Sequence, residues 1–156
     1  MLTLEQKAYN CETFRHIERV RNLIGTVIAD LLRRAEEHDQ SKLESPEVEI
    51  FSDASTPALG PITYGSKEYE DSRKKVEKAL LHHYAKNSHH PEHYKDGVND
   101  MSLLDILEMF LDWKASSERH HDGNILKSIE KNADRFGLSP QLIRILENTA
   151  KAMGYI

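Results

Sequence analysis

Residues 14–32 read FRHIERVRNLIGTVIADLL, and their apolar positions recur at the three- and four-residue spacing of an α-helix. The pattern continues on both sides of this stretch and predicts one helix over about residues 4–37. Similar spacing and helix-end residues predict four more helices, at about residues 66–86, 102–119, 125–136 and 139–153. The sequence shows no alternating strand pattern of useful length, so we predict an all-α protein with the architecture of a helical bundle.

The chain has 156 residues, enough to bury one hydrophobic core, and we predict a single helical domain over residues 1–156. Proline and glycine residues interrupt a loop-rich insertion at about residues 43–66. A short helical turn at Pro46–Phe51 is the one regular element that we expect there. A loop of this length either covers a functional site or is a plain surface excursion, and both interpretations stay open.

Composition indicates a polar-surfaced globular protein, with 38% hydrophobic and 30% charged residues. No apolar run approaches the ~20 residues of a membrane span, and the first residues lack the pattern of a secretion signal. The single cysteine, Cys11, permits no internal disulfide and suits a reducing compartment. We therefore predict a cytoplasmic protein without a membrane partner.

The formal net charge of −5 argues against nucleic acid as a partner, because phosphate binding needs clustered lysine and arginine. Most local basic positions are interrupted by acidic ones, as on a solvated helix face. The sequence is compatible with a homo-oligomer.

Histidine placement is the strongest functional signal. His38-Asp39 forms one pair, and five of the nine histidines lie within residues 82–93. Imidazole and carboxylate groups are the ligands that proteins offer to divalent metals. Pro91 forces His90 out of helical geometry, so the histidines that follow the helix are expected to converge. The pattern predicts a metal site, in which His82 and the pair at 120–121 look dispensable.

An acidic stripe is expected on the helix at 102–119, because Asp105, Glu108 and Asp112 share one face. Two interpretations stay open. The stripe is either a solvent-exposed face, or Asp112 ligates the metal while Glu108 supports the residues around it.

These residues, in this order, resemble the HD-domain superfamily of metal-dependent phosphohydrolases. The matching positions are His16, His38-Asp39 with Lys42, His83, His90 and Asp112. More closely, the chain resembles a small family of uncharacterised bacterial and phage proteins with the strings HDxSK, HYxxNxHHPEH and EMxxDWKA. Here those strings occupy residues 38–42, 83–93 and 108–115.

The superfamily resemblance implies a phosphohydrolase that uses a metal-activated water to attack a phosphomonoester or nucleotide. Asp39 and Lys42 would be catalytic. The ligand set implied is His16, His38, Asp39, His83, His90 and Asp112. Substrate binding would fall to Lys42, Asn87, His89, His93 and Lys114. The cofactor implied is one or two divalent transition-metal ions, Mn, Fe, Co, Ni or Zn, with Mg as the alternative if carboxylates dominate.

One departure from the superfamily concerns His16, which lies 22 residues before His38. In a straight helix this separates the two by roughly 33 Å, too far for one metal. His16 is therefore a ligand only if the chain turns back near Gly25-Thr26, where glycine weakens the helix.

Two other functions stay open. The same ligands would serve a non-catalytic metal- or nucleotide-binding module, in which case the metal keeps no open position. A helical interaction protein that uses histidine as a pH switch explains the histidines, but it leaves Asp39 and Lys42 unexplained.

Overall fold

The computed structural model describes residues 2–55, 67–119 and 123–156. Within these ranges the chain forms six α-helices and no β-strand, so the all-α prediction is confirmed. The helices are α1 (Leu4–Glu37), α2 (Glu47–Ser55), α3 (Lys67–Lys86), α4 (Leu103–Ser117), α5 (Ile125–Phe136) and α6 (Pro140–Ala152). Short 3-10 turns at Gln40–Leu43, Pro91–His93 and Gly97–Asp100 lie between them. No helix in the described part of the chain is long and apolar enough to cross a membrane.

The chain divides into two compact units, Met1–His38 and Asp39–Ile156. The prediction of one domain over residues 1–156 stays a prediction.

The first unit consists essentially of α1, a helix of 34 residues. Thr3 caps its start in a capping box with Gln6, and none of its residues is buried. Gly25 lies inside the unbroken helix, so the turn at Gly25-Thr26 that His16 would need in order to be a ligand is not formed. The apolar phase continues through Gly25, and one glycine costs a helix only about 1 kcal/mol. His16 and His38 therefore lie roughly 33 Å apart and cannot bind one ion within the same chain.

The core of the second unit is built by α4, α5 and α6. Its centre includes Met109, Phe110, Ile125 and Ile129, each at most 1% exposed, and Trp113 lies in the same cluster. Sequence signals place these helices correctly. Ser102 caps α4, Ser139 precedes Pro140 at the start of α6, and Gly137 ends α5 in the left-handed conformation.

The loop-rich insertion differs from its prediction. A nine-residue helix, α2, follows Pro46, where we expected only a short turn. Its first residue, Glu47, is fully buried, and α2 packs against α3. Residues 56–66 and the histidine pair at 120–121 lie outside the described residues.

Replacing Phe110 by alanine is expected to lower the free energy of unfolding by about 3–5 kcal/mol, because its side chain is 0% exposed within the core. Urea denaturation measures this change. Leu103→Ala, on the same helix but 75% exposed, is the control and is expected to shift stability by about 0.5 kcal/mol or less. Equal effects of the two substitutions would contradict the assignment of the core.

Candidate metal centre

Four side chains of the second unit, Asp39, His83, His89 and His90, bring one ligand atom each within 4.8 Å of one another. We call them the four-residue cluster. His83 Nε2 lies 2.9 Å from His90 Nε2 and 3.3 Å from Asp39 Oδ1. His89 Nε2 lies 3.6 Å from the same Asp39 oxygen. His83 and His89 are buried, whereas Asp39 and His90 are half-buried.

Local backbone geometry creates this convergence. His83 lies in the last turn of α3, and the helix ends at Lys86. The chain then turns, so that His89 and His90 point back toward His83, and buried Pro91 starts the next 3-10 turn. Asp39 adopts the left-handed conformation, with φ 58°, immediately before the turn at Gln40–Leu43. Such a backbone is uncommon outside glycine, and it is typical of a residue whose side chain must be aimed.

The spacing of the cluster fits one divalent ion. Ligands bound at about 2.0–2.1 Å lie about 2.9–3.4 Å apart at neighbouring octahedral or tetrahedral positions. The distances from His83 Nε2 to His90 Nε2, 2.9 Å, and to Asp39 Oδ1, 3.3 Å, lie within this interval. The distance from His89 Nε2 to Asp39 Oδ1, 3.6 Å, slightly exceeds it. The donor set, three imidazoles and one carboxylate, is also one that transition metals bind.

Two carboxylates set the orientation of two of these imidazoles. Glu47 Oε2 lies 2.9 Å from His83 Nδ1, and Glu108 Oε1 lies 3.1 Å from His89 Nδ1. In each pair Nδ1 donates its hydrogen to the carboxylate, and Nε2 faces the cluster. This carboxylate–histidine arrangement is how proteins fix the tautomer of a metal-binding histidine.

Glu47 also receives hydrogen bonds from His82 Nδ1, at 2.7 Å, and from the Ser41 hydroxyl, at 3.0 Å. Burial alone raises the pKa of Glu47, but the hydrogen bonds from His82, Ser41 and His83 outweigh it and lower this pKa below its usual value. Glu47 is therefore an anion at neutral pH, although its side chain has no exposure to solvent.

His90 is neutral at physiological pH. Burial, followed by the neighbouring His89 and His83, lowers its pKa to about 3, against the opposing effect of Asp112 and Asp39. A neutral imidazole is the form that binds a metal.

Asn87 is buried behind His83. Its amide donates to the Ser41 hydroxyl, at 2.9 Å, and to the His83 carbonyl, at 2.8 Å. These bonds tie the end of α3 to the turn that follows Asp39. The placement gives Asn87 a supporting role, and its predicted contact with substrate stays a prediction.

Asp112 and Lys42 lie next to Asp39. One carboxylate oxygen of Asp112 lies within 4.8 Å of one of Asp39, and Asp112 is half-buried on α4. Lys42 Nζ donates to Asp39 Oδ2 at 2.6 Å. The acidic stripe of α4 is therefore not a solvent face. Asp105 is buried and its carboxylate accepts hydrogen bonds from Ser102, the N-cap of α4, while Glu108 contacts His89.

Other predicted site residues are placed less directly. His38 is the last residue of the first unit, and its role as a ligand stays a prediction. His93 is exposed and donates from Nδ1 to the Tyr84 carbonyl at 2.8 Å. Lys114 pairs with Glu118, and its Nζ lies 5.1 Å from the centre of the Tyr155 ring. Substrate binding by His93 and Lys114 stays a prediction.

Sequence reasoning missed three members of the site. His89 was expected to bind substrate but belongs to the four-residue cluster. His82 looked dispensable but contacts Glu47, and Glu47 was not singled out. The only signal for Glu47 was its position after Pro46 at a helix start, where an acidic residue is common because of the helix dipole.

A model described as "Family of unknown function (DUF5662)" matches residues 5–152, so the chain belongs to this family. No curated protein and no solved structure matches the chain.

Glu47→Gln is expected to weaken metal binding by about 10–100-fold, because His83 loses the anion that fixes its tautomer. Isothermal titration with Zn²⁺ or Mn²⁺ measures the affinity. Glu49→Gln is the matched control, since Glu49 lies two residues away on α2 and is exposed. A Glu47→Gln protein that binds metal as tightly as the Glu49→Gln protein would show that Glu47 does not orient the site.

Proposed function

We propose that this member of DUF5662 is a metal-dependent phosphohydrolase that acts on a phosphomonoester or nucleotide, through a site like that of the HD-domain superfamily. One observation carries the proposal. Asp39, His83, His89 and His90 bring their ligand atoms within 4.8 Å of one another, and Glu47 and Glu108 contact two of the three histidines through Nδ1.

A divalent ion in this cluster supplies Lewis-acid chemistry, since it polarises a phosphoryl oxygen and lowers the pKa of a water molecule. Mn, Fe, Co, Ni and Zn suit a donor set rich in imidazole, and Mg is the alternative where carboxylates dominate. Asp112 is the residue we propose to add a carboxylate, either to the first ion or to a second one.

Asp39 has two different tasks in the proposed reaction. Its Oδ1 atom faces His83 and His89, whereas its Oδ2 atom accepts a hydrogen bond from Lys42. The Lys42 ammonium fixes the rotation of the carboxylate, so that Oδ1 stays directed at the metal position. Lys42 is also 41% exposed at its side chain, which leaves its positive charge accessible to a phosphoryl oxygen.

The substrate class follows from this charge arrangement. A cation beside the metal position favours an anionic oxygen on the reacting group, as in a phosphate ester. We propose a small-molecule phosphate or nucleotide as the substrate, and a cytoplasmic location in keeping with the single cysteine.

A non-catalytic metal-binding module is the second candidate, and the number of ligands favours it. Four protein side chains at one ion complete a tetrahedral shell, which is typical of structural sites. A catalytic site would instead keep a position for water, so the ion would need five or six ligands here.

Asp39→Asn is expected to lose more than about 100-fold in phosphate release, because even an outer-shell change costs about 10–100-fold in related sites. Asparagine also tolerates the left-handed backbone of residue 39, so the fold should be kept. Phosphate release from nucleotides and 4-nitrophenyl phosphate is measured with Mn, Co or Mg, beside the metal content of the purified protein.

Asp134→Asn, at an exposed position of α5, is the control and should match the wild type. Wild-type turnover in Asp39→Asn would contradict the proposal. Bound metal without phosphate release from any substrate in the wild type would favour the binding module instead.

A further inference from the structure

We propose that α1 is a dimerisation helix whose apolar face binds α1 of a second copy of this chain. The proposal does not depend on the proposed enzymatic function, because it rests on the first unit alone. Although α1 has 34 residues, it buries none of them. Ten of its large hydrophobic residues are exposed, from 39% for Val20 to 85% for Leu4.

The apolar residues of α1 are arranged in a regular pattern rather than scattered. Alternating spacings of three and four residues separate Ile17, Val20, Ile24, Val27 and Leu31. The first four are exposed and Leu31 is half-buried. We call these five residues the α1 seam. An average spacing of 3.5 residues keeps a stripe facing another helix over several turns, and this is the geometry of paired helices in a coiled coil.

The area of this face matches what a stable dimer requires. A fully buried Val, Leu, Ile or Phe side chain removes roughly 60–120 Å² of apolar surface from water, at 25 cal/mol per Å². Nine such residues, leaving out Leu4 on the opposite side of α1, are about half exposed and offer several hundred Å² per chain. Two copies together would bury on the order of 1,000 Å² through side chains alone, near the lower limit for a specific interface. Monomeric proteins rarely leave so large an apolar patch open.

Charge favours a second copy over other partners. Residues 4–37 contain six basic and six acidic side chains, so α1 is neutral overall, although the whole chain carries −5. Two α1 helices therefore meet without net repulsion. A membrane surface or nucleic acid would instead favour a helix with a predominantly basic polar face.

The oligomeric state of the full-length protein tests the proposal. Size-exclusion chromatography with light scattering is expected to give twice the 18.0 kDa chain mass. Ile24→Glu places a charge in the middle of the α1 seam and is expected to halve the mass to that of a monomer. Asn22→Glu adds the same charge on the opposite side of α1 and is expected to leave the dimer intact.

Urea denaturation of both variants, followed by the fluorescence of Trp113 in the core of the second unit, shows that each remains folded outside α1. A wild-type protein that is monomeric over the whole concentration range would overturn the proposal, and so would a dimer that survives Ile24→Glu. A third outcome would be a monomer that binds vesicles of phosphatidylcholine and phosphatidylserine and loses this binding in Ile24→Glu. That result would assign the apolar face to a membrane and would also overturn the proposal.

Discussion

The hydrogen bonds of the buried Glu47 carboxylate are the interaction on which the metal centre depends. A charged carboxylate is costly to bury unless its oxygens are satisfied. Here His82, His83 and Ser41 all donate to it, and they hold its pKa below the usual value. The same bonds lock α2 against α3. Because His83 donates from Nδ1 to Glu47, its Nε2 atom faces the four-residue cluster. The Glu47 carboxylate thus joins the packing of two helices to the geometry of the site.

A second constraint acts from the opposite side. Glu108, on α4, holds His89 in the same way, so carboxylates from two helices orient two imidazoles toward Asp39. A cation among these atoms would be attracted by the Asp39 carboxylate and bound by the imidazole nitrogens. The cluster could therefore hold a metal ion.

Local signals made much of the fold predictable from the sequence. Helix bounds agreed closely because Ser139-Pro140 and Gly137 act through backbone geometry that depends on few neighbours. The convergence of the histidines that follow α3 was predictable for a similar reason, since Pro91 keeps His90 out of helical geometry. The roles of Glu47 and His89 could not be assigned from the sequence. Glu47 contacts His83, 36 residues later in the chain, and His89 contacts Glu108, 19 residues later. The continuity of α1 through Gly25 was predictable, since the cost of one glycine is small beside the apolar pattern of a long helix.

X-ray absorption spectroscopy of the protein loaded with Zn²⁺ or Mn²⁺ tests the central claim most directly. The account predicts a first shell of three imidazole nitrogens and at least one carboxylate oxygen, at about 2.0–2.2 Å. The imidazole signal should fall by one ring in His83→Gln, and it should stay unchanged in His93→Gln, whose exposed ring contacts the Tyr84 carbonyl. A shell of oxygen atoms alone, or one that His83→Gln leaves unaltered, would contradict the account.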